Sequence, residues 1–501
     1  MYRYLLFCFL FLFIFQANQS FAIDCTANDD PSCAYQYFSK LASKGDADAQ
    51  FEMGVIYEQG LGVQRDLQEA IRWFTLAANQ ENPHAQHFIG LMHKVGQGVP
   101  QSYQKALEWF RLAAKQRDPD GLYELGLMYL EGLGLSSNAV EAINYFQAAA
   151  NQGHVVSQYQ LGQIYDEGLG VSVDKETAAK WYQSAASKGH VISQSLLGLM
   201  YAEGHGVPKS YTLSAKWIRA AAIQDYMFAQ HTLGFMYEIG KGVDKNITKA
   251  LAWYQKAAKL GDRDAHYALA RLYKGGRLVK RQLDKSIKHL SQSAYQGNTL
   301  AQFELAQAYE QGIYVLRDFE QAVKWYRLAA NNNHPQAQYF LGLLYKVGAY
   351  YKKNTRLALK WFEKAAVQND IESQKQLADI LLKEPITESN LNTAMNWLSL
   401  AAEANDSDAQ YRLAKLIQKQ KQDVASLSLA KTWLTKAAKN GKAAAQYDLA
   451  LMLLKQEKGV LEEKQSKAVK ANAQEWLTRS ANQGHRLAEL KLIEILKTKK
   501  S

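Results

Sequence analysis

The chain has 501 residues, of which 48% are hydrophobic and 21% charged, and its formal net charge is +11. This is the composition of an ordered protein and excludes an intrinsically disordered chain. The positive charge is spread along the whole sequence, whereas a nucleic-acid-binding protein concentrates it in one patch or stripe. The charge therefore permits attraction to acidic partners without indicating nucleic acid.

The first 22 residues are predicted to be a secretory signal peptide. Arg3 precedes an uncharged apolar run over residues 5–15, and a small-x-small cleavage pattern ends at Ala22. The apolar run is short for a membrane span, although an uncleaved anchor is left open as the alternative. We expect a periplasmic or secreted protein with no integral membrane segment after cleavage.

Residues 23–48 are predicted to form an N-terminal cap with a disulfide loop and one helix. Cys25 and Cys33 are the cysteines that follow the predicted signal peptide, and Asn-Asp-Asp-Pro between them is typical of a turn. In an oxidising compartment this spacing favours one small disulfide. A metal or redox role would need further ligands or a Cys-x-x-Cys motif, neither of which is near.

From residue 49 onward the sequence repeats itself every 36 residues. All ten tryptophans occupy the same repeat position: Trp73, Trp109, Trp181, Trp217, Trp253, Trp325, Trp361, Trp397, Trp433 and Trp476. A fixed period of this length indicates a solenoid, in which each repeat buries its apolar face against its neighbours.

One repeat, residues 229–264, predicts two helices joined by a short loop. Apolar residues at helical spacing define helix A, and Gly240 just after it suits a left-handed helix end. Asn246 is a good N-cap for helix B, which carries Trp253. We expect Trp253 to fill the space between the helices, and a bulky ring to pack against the mid-helix glycine, Gly234.

Two further positions recur as capping signals. The position before helix B reads Asp66, Ser102, Asn138, Asp174, Ser210, Asn246, Gln282, Asp318, Asn354, Asn390 and Ser426, and all of these except Gln282 are predicted N-caps. The predicted left-handed residues after helix B are Gly45, Gly153, Gly189, Asp225, Gly261, Gly297, Asn333, Asn369, Asn405, Gly441 and Gly484.

The combined pattern is Ala-x3-Leu-Gly-x-Met-Tyr-x2-Gly-x-Gly-Val followed by Ala-x2-Trp-Tyr-x2-Ala-Ala-x2-Gly. It resembles the Sel-one-like repeat (SLR) family, a relative of the tetratricopeptide repeat. The resemblance implies an all-α solenoid of about twelve 36-residue helix-turn-helix repeats in a right-handed superhelix. We place the repeats at residues 49–484, with an insertion near 455–470, and a C-terminal capping helix at 485–501.

Two sets of residues are candidates for partner binding. The third position of helix A is aromatic in most repeats: Phe51, Tyr123, Tyr159, Tyr267, Phe303, Tyr339, Tyr411 and Tyr447. These rings fit either a ligand-facing stripe or packing between repeats, since aromatic residues serve both purposes. The second set is basic loop residues: Lys274, Arg277, Lys280, Arg281, Lys352 and Lys353.

No catalytic residue, cofactor or metal site is predicted. His84, His87 and His93 lie close together, but His87 falls on the recurring aromatic position, so we expect no metal ion there. Motifs of serine and metal-dependent hydrolases are missing from the sequence. The Gly-x-Gly loops lack the remainder of a phosphate-binding motif.

The leading functional prediction is an exported scaffold or adaptor that is not an enzyme. It would bind a protein or peptide on its concave face, and the resemblance implies a role in envelope assembly, signalling or host interaction. One alternative is an envelope enzyme or cell-wall ligand binder of the penicillin-binding or β-lactamase-like kind, which some secreted members of the family suggest. Another is an anionic-glycan binder that uses the basic loops.

Overall fold

A computed structural model describes residues 31–275, 282–383, 387–420, 423–457 and 463–498. These residues form 26 helices and no strand, as an all-α solenoid requires. Among them, no helix is both long enough and apolar enough to cross a membrane. Several predictions fall outside the described residues: the signal peptide, Cys25 of the predicted disulfide, Arg277, Lys280, Arg281 and residues 458–462 of the insertion.

The helices divide into two compact units, Met1–Leu260 and Gly261–Ser501. The first unit contains α1 (Pro31–Ala42), α2 (Ala47–Gln59), α3 (Leu67–Asn79), α4 (Pro83–Val95), α5 (Tyr103–Lys115), α6 (Pro119–Glu131), α7 (Ala139–Asn151), α8 (Val155–Glu167), α9 (Lys175–Ser187), α10 (Val191–Glu203), α11 (Tyr211–Ala222), α12 (Met227–Ile239) and α13 (Ile247–Lys259).

The second unit continues the same alternation. It contains α14 (Arg263–Gly275), α15 (Leu283–Tyr295), α16 (Thr299–Gln311), α17 (Phe319–Asn331), α18 (Pro335–Val347), α19 (Thr355–Ala366), α20 (Ile371–Leu381), α21 (Glu388–Glu403), α22 (Ser407–Gln420), α23 (Val424–Lys439), α24 (Ala443–Glu457), α25 (Glu463–Ala481) and α26 (Arg486–Thr498).

Within each unit, every helix packs against the helices before and after it in the chain. The even-numbered helices α2–α24 are the predicted A helices and are called first helices below; the odd-numbered ones are second helices. The predicted insertion falls where α24 connects to α25, and α25 has 19 residues where the other second helices have 12 to 16.

Eight of the ten predicted N-caps accept a hydrogen bond at the start of a second helix. Asn246, for example, accepts a hydrogen bond from the backbone N–H of Lys249 at 2.9 Å. The prediction is wrong at Asn390 and Ser426, because α21 and α23 begin one turn earlier and are capped by Thr387 and Asp423. Gln282, the weakest cap by residue type, makes no capping bond.

Every residue predicted to adopt a left-handed conformation after a second helix does so. The φ angles run from 58° at Asp225 to 93° at Gly45 and Gly261. The glycine that ends a first helix is also left-handed, as at Gly240 with φ of 75°. These left-handed residues end each helix and reverse the direction of the chain, so a short connection is enough to reach the next helix.

A bulky ring packs against the mid-helix glycine, as predicted, and it belongs to the residue that follows the tryptophan. Tyr254 is 1% exposed and lies against Gly234, where an added Cβ would be 2.8 Å from its ring. The tryptophans are mostly half-buried and lie between repeats: Trp109 packs against the cluster that contains Phe74 of the preceding repeat. Two neighbouring positions of each repeat therefore differ in their packing: the tryptophan packs between repeats, and the residue after it packs against the glycine of its own repeat.

A buried line of glutamines connects the repeats, and it was not predicted. Gln86 on α4 donates a hydrogen bond to the carbonyl of Ala78, and its own carbonyl accepts one from Gln116 at 2.9 Å. The first contact recurs in ten first helices. The glutamines are Gln50, Gln86, Gln158, Gln194, Gln230, Gln302, Gln338, Gln374, Gln410 and Gln446. Because buried amides need partners, these bonds help set the register between neighbouring repeats.

Candidate functional site

The predicted aromatic stripe lies on the first helices at the junction between repeats. Phe51 is 6% exposed, and the other seven rings, at Tyr123, Tyr159, Tyr267, Phe303, Tyr339, Tyr411 and Tyr447, are half-buried. Tyr123 packs on Phe146 of its own repeat, with ring centroids 5.7 Å apart. The stripe thus contributes to packing between helices while each half-buried ring keeps an accessible edge.

Histidines of the next repeat cover the other side of several of these rings. The centroid of Tyr159 is 4.8 Å from that of His190, and Phe303 stacks on His334 at 4.3 Å. His190 and His334 are the N-caps of α10 and α18. These histidines therefore have a structural task, because each caps a helix and closes the junction to the preceding repeat.

Tyrosine hydroxyls of the aromatic stripe also donate hydrogen bonds to the following repeat. Tyr267 donates to Glu304 at 2.6 Å and Tyr411 donates to Asp448 at 3.1 Å. Burial, and then the hydrogen bond to Glu304, raise the pKa of Tyr267, while burial and nearby Asp448 raise the pKa of Tyr411 to about 12. Both hydroxyls stay protonated at neutral pH and act as fixed donors.

An exposed apolar stripe on α12 is the surface feature that sequence reasoning missed. Phe228, Phe235 and Ile239 are 47%, 47% and 44% exposed. Their spacing of seven and four residues places them along one face of the helix. On α10 the same repeat positions carry Ile192 and Leu199, which are half-buried. The apolar surface therefore continues from one first helix to the next.

The signal for this stripe was present in the sequence. Aligning repeats shows polar residues at the position of Phe228 in several units, such as Asp48 and Asp120. A phenylalanine where other repeats carry aspartate cannot serve the common core. Exposed helix positions that depart from the repeat pattern indicate this apolar surface, whereas the repeated aromatic residues mainly pack between helices.

The described part of the basic loops is exposed to solvent. Lys352 and Lys353 are exposed, and Lys274 forms an ion pair with Glu304 at 3.2 Å. An exposed pair of this kind contributes little to stability. The other predicted members of this set lie outside the described residues, so the anionic-glycan hypothesis stays a prediction.

The spacing of His84, His87 and His93 on α4 suggests a group of histidines, but the structure places aspartates beside His84 and His87. His87 lies with Asp118 and Asp120, one ligand atom from each lying within 4.8 Å of the others. His84 Nδ1 is 3.4 Å from Asp118 Oδ1. His93 does not belong to this cluster. The fold thus brings His84 and His87 next to two aspartates from the next repeat.

Electrostatics within this cluster favour its charged forms. The hydrogen bond to Asp118 raises the pKa of His84 against the opposing effect of burial. Burial opposes ionisation of Asp120, but the hydrogen bond from His154 and the nearby imidazoles outweigh it and lower the pKa of this carboxyl group. The carboxyl group of Asp120 is therefore ionised at neutral pH.

Comparison with known proteins identifies the repeats. The model of the Sel1 repeat matches this chain in thirteen successive segments, from residues 26–46 and 47–82 to 407–442 and 443–485. The first segment covers the predicted cap and its helix. The observed number thus exceeds the predicted twelve by this partial N-terminal unit.

Three individual proteins are similar to this chain. The structure of c5321, a protective antigen present in uropathogenic Escherichia coli strains with an SLR fold, is 30% identical, with 91% of this chain and 96% of that chain covered and a TM-score of 0.66. A Sel1 repeat protein from Oxalobacter formigenes is 29% identical over 62% of this chain and 90% of its own, with a TM-score of 0.49.

The third, the DAP3-binding cell death enhancer 1 of Rattus norvegicus, is 49% identical over 43 residues. That segment is 9% of this chain and 8% of the rat protein, so the likeness is confined to a short stretch of repeats.

Repeat number, helix pairing and the similarity to an SLR structure over 91% of this chain agree with one another. Sel1 repeat proteins are typically non-enzymatic scaffolds that bind other proteins. With thirteen matched segments over nearly its whole described length, this chain belongs to the Sel1 repeat family.

Proposed function

We propose that this protein is an exported scaffold that binds a protein or peptide along the surface of its first helices. The observation that carries the proposal is the exposed apolar stripe Phe228, Phe235 and Ile239 on α12. Exposed apolar patches on soluble proteins mark interaction surfaces. Large aromatic side chains are also the residues that contribute most to binding energy.

The partner that fits this surface is an amphipathic segment. An apolar stripe along a helix accepts anchors spaced at one or two helical turns, as in helix-in-groove recognition. Half-buried Ile192 and Leu199 on α10 extend the apolar area toward the neighbouring repeat. Tyr159, one of the aromatic residues predicted at the third helix position, lies on the preceding first helix, α8, and is proposed to contribute its accessible edge.

Export and a role at the cell surface belong to the same proposal. The N-terminal 22 residues have the pattern of a signal peptide. The similar protein c5321 is a protective antigen of uropathogenic strains, which supports an envelope or host-interaction role for this chain. The proposal treats the protein as a scaffold without catalytic activity.

Site-specific photocrosslinking tests this function. A photoreactive phenylalanine analogue replaces Phe235 in the full chain, expressed in the organism that encodes it, and crosslinked products are identified by mass spectrometry. The matched control places the same analogue at Leu316, which is 91% exposed and lies in the loop between α16 and α17. A defined envelope or secreted protein crosslinked from Phe235 and not from Leu316 is expected. Equal patterns from both positions would contradict the proposal.

A further inference from the structure

The first helices α4, α6 and α8 bring a mixed cluster of histidines and aspartates together near their N-terminal ends. His87 is in the second turn of α4, Asp118 is the N-cap of α6, and Asp120 follows in the first turn of α6. One imidazole nitrogen and one oxygen of each carboxylate lie within 4.8 Å of one another. Metal–ligand bonds are about 2 Å long, so donors on one ion lie at most about 4 Å apart, and a small movement of these side chains would let one ion contact all three.

The carboxylate of Asp118 is held in place by the backbone. Its side chain is 1% exposed, and Oδ2 accepts a hydrogen bond from the N–H of Gly121 at 2.7 Å. Oδ1 faces His84 Nδ1 at 3.4 Å. A buried carboxylate oriented by a helix cap loses little freedom on binding a cation, so this ligand is preorganised.

Asp120 is oriented from the opposite side by the next repeat. Its Oδ1 is 3.2 Å from His154 Nε2, and the other ring nitrogen of His154 is 2.7 Å from the Ser157 hydroxyl. A chain of hydroxyl, imidazole and carboxylate of this kind fixes the tautomer and the direction of the ligand in metal sites.

The charge balance of the cluster leaves room for a cation. Within the described residues, the ion pairs of Asp118 and Asp120 are with histidines and not with lysine or arginine. Imidazole nitrogens are themselves common metal ligands. Two carboxylates this close repel each other, and a divalent ion between them would remove that repulsion.

We propose that His87, Asp118 and Asp120 form a binding site for a divalent transition-metal ion of the zinc type, with His154 as a positioning residue. One nitrogen and two oxygen donors suit zinc and its neighbours, whereas calcium and magnesium prefer oxygen ligands alone. Three protein ligands leave a coordination position for water or for a group of a bound partner. This inference is independent of the proposed partner-binding surface on α12.

The site has a structural consequence, because its ligands come from two successive repeats. Binding to the folded state alone stabilises that state in proportion to the logarithm of metal concentration over the dissociation constant. An ion joining α4 to α6 would therefore stabilise the N-terminal repeats and hold their junction rigid.

The test is cobalt(II) and zinc(II) binding by the purified full chain after removal of metal with a chelator. Calorimetry gives the number of bound ions, and the visible absorption of cobalt(II) reports on coordination. The variant His87→Phe removes the nitrogen but keeps an aromatic residue that other repeats carry here, as at Phe51 and Phe303. Asp120→Asn removes the charge of the second carboxylate and keeps the shape of the side chain.

The matched control is His205→Phe, which removes an exposed histidine paired with Glu203 at 2.9 Å. Both site variants are expected to bind one equivalent fewer than the wild type and to lose the zinc-dependent rise in unfolding temperature that the control retains. Far-UV circular dichroism checks that each variant is folded. Equal stoichiometry in wild type and both site variants, or no binding by the wild type, would overturn the proposal.

The positioning role of His154 has its own variant. His154→Asn keeps an N-cap side chain on α8 but removes the imidazole that faces Asp120. Outer-shell substitutions of this kind typically weaken metal binding by about 10- to 100-fold. We expect a loss in that range with the number of bound ions unchanged. An unchanged dissociation constant would exclude the positioning role.

Discussion

Phe146 lies directly against the backbone of Gly126, and a Cβ added at Gly126 would be 2.7 Å from the phenylalanine ring. Phe146 is 0% exposed, so its ring is enclosed on all sides by the protein. We predict that Gly126→Ala destabilises the protein by about 1 kcal/mol, because overpacking outweighs the gain in helix propensity. The midpoint of thermal unfolding measures the change.

The control for this prediction is taken from the chain itself. Ala378 and Leu398 occupy the same two positions in a later repeat. The double variant Gly126→Ala/Phe146→Leu copies that pair and should lose less stability than the sum of the two single variants. Strictly additive losses would show that the ring and the glycine are not coupled.

The line of buried glutamines lacks one hydrogen bond at Lys188, and a substitution there can restore it. The carbonyl oxygen of buried Gln158 has no hydrogen-bond partner among the described residues, whereas the equivalent oxygen of Gln86 accepts from Gln116. Lys188 occupies the position of Gln116 and instead donates to the carbonyl of Gly153. Lys188→Gln is predicted to stabilise the protein by about 1 kcal/mol.

Lys188→Ala separates the new hydrogen bond from the loss of the lysine. Only the glutamine variant should raise the unfolding temperature above that of the wild type. If alanine and glutamine behave alike, the hydrogen bond to Gln158 does not form.

Glu52 makes the stability of the N-terminal repeats depend on pH. Burial, and then the nearby charge of Asp48, raise the pKa of Glu52 to about 7 from an ordinary value of 4.5. The folded state therefore holds a proton on Glu52 that the unfolded state has released, and stability falls as pH rises from about 4.5 through 7.

Glu52→Gln removes this titration and keeps a neutral side chain of the same shape. We expect the variant to unfold at a higher temperature than the wild type at pH 8, by a few degrees, and at a similar temperature at pH 4.5. Thermal unfolding followed by circular dichroism across this pH range measures it. Parallel curves for the two proteins would contradict the raised pKa.

Export and the disulfide are tested on the protein recovered from the envelope or medium. The mature chain is predicted to begin at Ile23, and Cys25 and Cys33 should resist alkylation until a reductant is added. N-terminal sequencing and mass spectrometry of alkylated peptides provide both answers. An intact N-terminus would support an uncleaved anchor, and alkylation without a reductant would exclude the disulfide.

The fold could be predicted closely because the repeat displays each local signal many times. Left-handed residues such as Asn333 and caps such as Asn246 depend on a few neighbouring backbone groups, and these interactions are visible in sequence. Which residue supplies the ring that packs against Gly234, Trp253 or Tyr254, was not predictable from spacing alone. Adjacent positions on a helix differ by about 100°, and only the crossing of the two helices decides which one faces Gly234.

The candidate sites were harder to predict because they depend on contacts between repeats. His87 and Asp118 are 31 residues apart, and their proximity follows from stacking of α4 and α6 rather than from any local motif. Asn390 and Ser426 were mistaken for caps for a related reason: their helices α21 and α23 extend one turn beyond the repeat pattern. Residues that depart from the 36-residue pattern are therefore the ones that indicate where this chain differs from a regular solenoid.

The central claim is that the stripe on α12 binds the partner, and its most direct test is an affinity measurement. With the partner identified by crosslinking from position 235, the dissociation constant is measured for the wild type, for Phe228→Ser/Phe235→Ser and for the exposed control Leu316→Ser. Loss of two central aromatic anchors should weaken binding by at least about 30-fold, since each anchor contributes about 1 kcal/mol or more. The control should match the wild type; an unchanged affinity in the double variant would contradict the claim.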